Sequence, residues 1–227
     1  MPRRHRVGSG GIVFHVLNRG ARRAPLFETS EDYAAFLNVL CEAQERFGMR
    51  LLCFALMSNH WHLVVWPAGD GDLSVQMQWL TRTHAQRWHL AQRSVGTGAV
   101  YQGRFRAIPV QNDVHFLTLC HYVEHNARRA GLVERAEDWR WSSAWIGHDR
   151  CPRPTLWSWP VPRPKNWIEW LNAEGTEQRL EQLRDAIRRQ VPFGEADWRK
   201  ATADCLKMND GSRRRGRTPA SVRGGAR

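Results

Sequence analysis

The sequence predicts an α+β fold in which helices pack on an antiparallel sheet. Its patterns follow the order strand, helix, two strands, helix, strand, helix, as expected of this class. Ser58-Asn59 and then His60-Trp61-His62 separate two apolar runs at residues 51–57 and 63–66, and the two-residue break Ser58-Asn59 favours a hairpin. The 227 residues, 42% of them hydrophobic, suffice for one core of ordinary size.

Each further element has its own local signal. Residues 12–18 are β-branched and aromatic, which favours a first strand. Thr29 or Ser30 can cap a first helix, whose apolar residues repeat at helical spacing as far as Gly48. A second helix, an extended segment and a third helix are expected at residues 72–92, 100–110 and 114–130.

Composition divides the chain into five regions. Residues 12–149 carry the predicted α+β domain, which a basic arm at 1–11 precedes. After it we expect a linker rich in proline and tryptophan at 150–173, a short helical region at 174–210 and a disordered arginine-rich tail at 211–227.

The charge balance predicts a polyanionic partner. The net charge is +12, and only three of the 34 lysines and arginines are lysine. The planar guanidinium suits phosphate oxygens, and no long basic amphipathic helix suggests a membrane surface, so nucleic acid is the expected partner. The five cysteines form no C-x-x-C pair, and no stretch is apolar enough to span a membrane, so we expect a cytoplasmic protein with reduced thiols.

Two histidines in the second strand of the hairpin are the first candidates for chemistry. His60 and His62 are two residues apart, so on a strand they point to the same face and form a platform for a divalent metal. On the third helix, Tyr122 and Asn126 are four apart and share a face. A metal held by both histidines and the Asn126 oxygen would polarise a phosphodiester for attack by Tyr122. Candidate phosphate contacts are Arg19, Arg104, Arg106, Arg128 and Arg129.

A rival motif lies on the same helix. His121, Glu124 and His125 fit the H-x-x-E-H pattern of inverted zinc peptidases, in which the histidines hold zinc and the glutamate is the general base. The pattern is short, no third ligand is evident, and strong positive charge suits that class poorly. The sequence is also compatible with a purely structural role for His60 and His62.

Five segments of the chain form a recognisable set in a fixed order. They are FHVLNRG at 14–20, FALMSNHWHLVV at 54–65, YQGRFR at 101–106, YVEHNARRAGLV at 122–133 and WRWSS at 139–143. Together they resemble the single-tyrosine transposases, and in particular the REP-associated tyrosine transposases of bacteria. VPFG at 191–194 and RRGR at 214–217 resemble longer members. Ser58 replaces a usual proline and Ala127 stands where Asn-Pro is usual, but neither change removes a chemical group.

The resemblance implies a ferredoxin-like sheet, the palm of the HUH nucleases, and a metal-dependent endonuclease and strand transferase for single-stranded DNA. It implies Mg²⁺ or Mn²⁺ on His60 and His62, Asn126 as the third ligand, and Tyr122 as the nucleophile that forms a 5′-phosphotyrosine. The implied substrates are hairpins of repeated extragenic palindromes, and we expect a nucleoid-associated monomer or homodimer. The alternative is a domesticated protein that binds such hairpins without cutting.

Overall fold

A four-stranded antiparallel sheet forms the centre of the structure, a computed structural model that describes residues 9–148, 151–173 and 177–209. The strands are β1 Val13–Arg19, β2 Leu51–Met57, β3 His60–Val65 and β4 Arg106–Val110. They lie in the order β2-β3-β1-β4. Met57 pairs with His60 across a two-residue connection, so the predicted hairpin and the predicted α+β class are both confirmed.

The described residues also form seven α-helices around the sheet. They are α1 Ser30–Phe47, α2 Asp72–Ala91, α3 Val114–Glu124, α4 Asn126–Arg129, α5 Trp167–Asn172, α6 Glu177–Arg189 and α7 Ala196–Cys205. Thr29 and Asp32 form a capping box at the start of α1, and Gly48 ends that helix in the left-handed conformation at φ 61°. The predicted third helix is divided at His125 into α3 and α4, but His125 keeps right-handed helical angles, so the two pieces follow one another closely.

The sheet separates two hydrophobic cores. Along β1, Phe14 and Val16 point to the side covered by α1 and α2, whereas Val13 points to the side covered by α3. Trp167 of α5 and Leu183 of α6 belong to the second core. The C-terminal region therefore packs on the same side of the sheet as α3.

The region predicted as a linker differs from the structure. It contains α5, and Trp167 and Leu171 are 3% and 0% exposed. Its prolines do prevent a long helix, but Trp159, Trp167 and Trp170 supply apolar area that packs into the second core. Most of the predicted N-terminal arm and all of residues 211–227 lie outside the described residues. In the part of the chain that the structure describes, no helix has the length and apolarity needed to cross a membrane.

Tryptophan and serine side chains cover the outer edge of β2. The indole N–H groups of Trp139 and Trp159 each donate to a main-chain carbonyl of this strand at 2.9 Å. Between them, Ser143 N donates to Phe54 O, and Phe54 N donates to the Ser143 hydroxyl, both at 2.9 Å. These two tryptophans therefore satisfy backbone groups at the edge of the sheet.

Candidate active site

The strand register places both predicted metal-binding histidines on one face of the sheet. His60 lies directly opposite Arg19 in the pair of β1 and β3, and His62 follows two residues later. Opposite residues project to the same face, so all three meet on the side covered by α3. The intervening Trp61 is buried on the other side, where its Nε1 donates to the Tyr101 hydroxyl at 3.2 Å. That contact anchors the strand from behind.

Asn59 fixes the position of the proton on the first imidazole. Its side-chain oxygen lies 2.7 Å from His60 Nδ1. Because an amide oxygen only accepts, Nδ1 carries the proton and Nε2 of the neutral ring has a free lone pair. Burial, followed by the charges of Arg19 and Arg129, lowers the pKa of His60 to about 4, so the ring is neutral near pH 7.

The second imidazole is more deeply buried and contacts a third one. His62 is 3% exposed, and its Nδ1 lies 2.8 Å from Nε2 of His15. Burial lowers the pKa of both rings, that of His15 to about 3, so one hydrogen bond joins two neutral rings. Nε2 of His62 is buried without a hydrogen-bonding partner among the described residues.

The tyrosine and the asparagine predicted from the helix lie beside these rings. The Tyr122 ring stands edge-on to His62, with centroids 5.7 Å apart. Asn126 is 1% exposed, and its Oδ1 accepts a hydrogen bond from Arg129 Nη2 at 2.8 Å. The Arg129 guanidinium also lies over the Tyr122 ring, with 5.6 Å between Cζ and the ring centroid. Arg129 thus connects the candidate nucleophile to the candidate third ligand.

A cavity of about 460 Å³ opens beside these groups and is called here the active-site cavity. Its lining includes His60, His62 and Tyr122, together with four of the five arginines predicted to contact phosphate: Arg19, Arg104, Arg106 and Arg129. The fifth, Arg128, is not part of the lining and donates its Nε–H to the main-chain oxygen of Glu134 at 2.9 Å. Within the described part of the chain, Arg19 Nε is buried and has no hydrogen-bonding partner, so it is available to an anion.

Two hydrogen bonds fix the loop that carries Arg104. Gln102 N donates to Arg19 O at 2.9 Å, and the Asn18 side-chain amide donates to Gly103 O at 3.3 Å. The loop is therefore held against the end of β1, and its arginine is kept beside the active-site cavity.

Sequence reasoning missed His15, Asn59, Gln102 and Ile187 as parts of this site. A signal for His15 was available, because alternation along β1 puts it on the same face as Arg19. Ile187 of α6 also lines the cavity, but it approaches from the C-terminal region through long-range packing that no local pattern announces.

The donor set fits a divalent cation. His60 offers a free lone pair, and the Asn126 oxygen keeps a second lone pair beyond its bond to Arg129. His62 has a buried Nε2 that no described residue hydrogen-bonds. Asn126 is not part of the cavity lining and reaches it through Arg129. Across the described residues, no three His, Cys, Asp or Glu side chains gather into a metal site, so the set depends on the amide.

The histidines of the H-x-x-E-H motif serve a different purpose. His121 Nε2 and His125 Nδ1 lie 3.2 Å and 2.6 Å from main-chain oxygens of α5, so both rings donate to that helix. Glu124 is buried and accepts hydrogen bonds from the Ser143 hydroxyl and from Trp167 Nε1. Burial raises the pKa of Glu124, against the opposing effect of these donors. With both of its oxygens occupied, Glu124 is not placed to act as a general base, and the motif joins α3 to the C-terminal region.

A known family matches the part of the chain that carries the site. The family described as IS200-like transposases matches residues 10–126, a stretch that includes both strand histidines, Tyr122 and Asn126. The chain belongs to the IS200-like transposases. The resemblance to tyrosine transposases that the motifs indicated is therefore confirmed. A transposase-like role in cleaving and transferring DNA strands follows from membership.

One solved structure shows the same fold, and a second gives a weaker match. This IS200-like transposase is similar to a REP-associated tyrosine transposase bound to a REP hairpin, with a TM-score of 0.50 and 18% identity over 72% of this chain and 98% of the other. A candidate transposase from Deinococcus radiodurans R1 has a TM-score of 0.39 and 15% identity, over 58% of this chain and 92% of its own. No curated protein matches this chain significantly.

Proposed function

We propose that this IS200-like transposase is a site-specific, metal-dependent endonuclease and strand transferase of the HUH type that acts on single-stranded DNA. The observation that carries the proposal is that Tyr122, His60 and His62 all line one cavity together with four arginines. Attack on a phosphodiester needs a nucleophile, ligands for a Lewis acid and positive charges around the phosphate, and these side chains supply all three.

Different side chains of the site bind the DNA phosphates, hold the metal ion and position the tyrosine. The four arginines bind the phosphates of the strand and neutralise their charge. His60 and His62, with Asn126 as the third ligand, would hold Mg²⁺ or Mn²⁺, and the bound ion would supply Lewis-acid activation of the scissile phosphate. Arg129 keeps the Tyr122 ring in place through its contact with the ring face.

The Tyr122 hydroxyl is the nucleophile in this reaction. Its oxygen forms a bond to the scissile phosphorus, the bond from phosphorus to the 3′ oxygen breaks, and the released strand takes up a proton to end in a free 3′-OH. The other strand stays attached through a 5′-phosphotyrosine. Because that linkage is itself a phosphodiester, a 3′-OH can later attack it, release Tyr122 and join the strands without an external energy source.

A hairpin beside the cleavage site is the proposed mark of the substrate. The REP-associated transposase that shares this fold is bound to a REP hairpin, and the net charge of +12 supports a nucleic-acid partner here. Arginines that line a cavity of this kind suit the backbone of an unpaired strand. A DNA substrate would place the protein at the nucleoid.

The test is to incubate the full chain with Mn²⁺ and single-stranded DNA that carries a palindromic hairpin, labelled at its 5′ or 3′ end in separate reactions. We expect an adduct that survives denaturant and carries only the 3′ label, because a 5′-phosphotyrosine retains the downstream fragment. The 5′-labelled fragment should appear free, with a 3′-OH. A scrambled stem of the same length and composition tests the need for the hairpin.

Tyr122→Phe removes only the hydroxyl and should abolish the adduct. The matched control is Tyr33→Phe, since Tyr33 stacks on Trp141 on the other side of the sheet and should form adduct at the wild-type rate. Tight hairpin binding by wild type without any adduct would favour the non-cleaving, domesticated protein. An undiminished adduct with Tyr122→Phe would exclude Tyr122 as the nucleophile.

A further inference from the structure

We propose that His15 is a positioning residue that accepts a hydrogen bond from His62 and so holds His62 in the tautomer able to bind a metal. The inference rests on the proposed function, because it concerns the same metal site. It concerns a residue that neither binds the cation nor lines the active-site cavity.

The geometry couples the protons of the two rings. His15 Nε2 and His62 Nδ1 are 2.8 Å apart, and both residues are at least 97% buried, with 0% and 3% exposure. The ring planes differ by only 12°. A hydrogen bond between two neutral imidazoles has one proton, so it runs either from His62 to His15 or from His15 to His62.

The two directions leave His62 Nε2 in different protonation states. If His62 Nδ1–H donates, His62 Nε2 keeps a lone pair, and His15 carries its remaining proton on Nδ1. If His15 Nε2–H donates instead, His62 carries a proton on Nε2 and cannot coordinate a cation there. Both His62 Nε2 and His15 Nδ1 are buried without partners among the described residues, so protein hydrogen bonds at these atoms do not select between the two directions.

The charges around the cavity make that selection. His62 lines the cavity with four arginines, whereas His15 does not line it. Arg19 lies directly opposite His60 in the sheet, and the Arg129 guanidinium lies over the Tyr122 ring, which stands edge-on to His62. A lone pair is favoured over an N–H dipole beside positive charge, so His62 should donate to His15 even before a cation binds.

Asn59 provides an internal parallel. It accepts from His60 Nδ1 at 2.7 Å and leaves Nε2 of that ring unprotonated. His15 would do the same for His62, so each metal-binding ring has its own acceptor behind it. Outer partners of this kind commonly change metal affinity by about 10- to 100-fold.

The primary test is the tautomer of His62 in the metal-free, full-length wild-type protein. Long-range ¹H–¹⁵N correlation of the imidazole nitrogens reports which nitrogen is protonated, and His62→Gln assigns the resonance by its disappearance. We expect the proton on Nδ1. A proton on Nε2 overturns the inference, and this measurement depends on no variant at position 15 and on no activity.

The second test compares two substitutions of His15 by titration calorimetry with Mn²⁺. His15→Leu removes the acceptor and should weaken binding by about 10-fold, with a larger Nε2–H population of His62. His15→Gln places an amide oxygen where Nε2 stood and should bind within about threefold of wild type. The control is His84→Gln, because His84 is equally buried but bonds to Tyr101 on the far side of the sheet, and it should bind Mn²⁺ as wild type does.

The outcomes separate this inference from the proposed function. Wild-type affinity and an unchanged tautomer in His15→Leu would overturn the role of His15 and leave the metal site intact. Equal losses in a folded His15→Gln and in His15→Leu would also overturn it, because the acceptor would then not be what matters. If wild type binds no Mn²⁺ at all, the metal site itself fails and the inference fails with it.

Discussion

Two histidine pairs in this chain look alike in sequence and differ in what their nitrogens meet. His60 and His62 project from β3 toward a cavity. His60 Nε2 has a lone pair, and His62 Nε2 has no hydrogen-bonding partner in the part of the chain that the structure describes. His121 and His125 donate hydrogen bonds to main-chain oxygens of α5. A histidine motif can bind a metal only when one nitrogen of each ring is left without a hydrogen bond to the protein.

Removing one strand histidine should have the largest effect on catalysis. His62→Ala deletes a proposed ligand, and the loss of Lewis-acid stabilisation, about 4 kcal/mol, should slow adduct formation roughly a thousandfold. Single-turnover assays with hairpin DNA and Mn²⁺ measure the rate, and circular dichroism confirms that the variant is folded. A rate within tenfold of wild type would show that His62 is not a ligand.

Low pH tests how burial alone changes the pKa of a histidine. His84 is suited to this test because it is buried away from the active-site cavity. Burial lowers the pKa of His84 to about 4, and the ring bonds to Tyr101 away from the cavity. The unfolded chain binds this proton near pH 6.5 and the folded chain does not, so the stabilisation is complete above pH 6.5 and decreases as pH falls toward 4. His84 should account for a loss of roughly 3 kcal/mol by pH 4.

Urea unfolding at pH 7 and pH 4 measures this loss in wild type and in His84→Gln. The advantage of wild type over the variant should shrink by that amount at the lower pH, because all other groups titrate alike in both proteins. A difference in unfolding free energy that is independent of pH would contradict the assigned protonation of His84.

Two neighbouring arginines that follow the tyrosine helix differ in the groups they contact. Arg129 bonds to Asn126 and covers the Tyr122 ring, whereas Arg128 bonds to a carbonyl outside the cavity. Arg129→Ala should reduce the rate of adduct formation by about 30-fold, from the loss of about 2 kcal/mol in charge-assisted contacts. Arg128→Ala should change it by less than about threefold, the size expected of a screened surface charge. Equal effects would mean that general positive charge, and not position, matters.

A substitution in the helix histidine pair, His121 and His125, should have the smallest effect on catalysis. His125→Ala removes one hydrogen bond to α5 and should lower the free energy of unfolding by about 1 kcal/mol, while adduct formation stays within a few-fold of wild type. Thermal unfolding and the adduct assay are read on the same preparation. Zinc-dependent peptide cleavage by wild type that disappears in this variant would instead restore the peptidase interpretation.

Local sequence patterns predicted the α+β fold and the candidate ligands and nucleophile, because these features depend on short-range periodicity. The H-x-H spacing put His60 and His62 on one face, and the i, i+4 spacing put Tyr122 near Asn126. Alternation along β1 places His15 on the face of Arg19, but its contact with His62 depends on the pairing of β1 with β3 across a long stretch of chain, which no local pattern predicts. The burial of Trp167 likewise depends on packing between distant segments, so composition alone indicated a linker.

The covered edge of β2 also limits how two copies of this chain can meet. A sheet extends from one molecule into another only where a strand presents unpaired N–H and C=O groups. Trp139, Ser143 and Trp159 already occupy such groups on β2, and at the opposite edge Phe193 exchanges main-chain hydrogen bonds with the end of β4. A strand from a second copy therefore cannot be added to the sheet at the positions that these residues occupy.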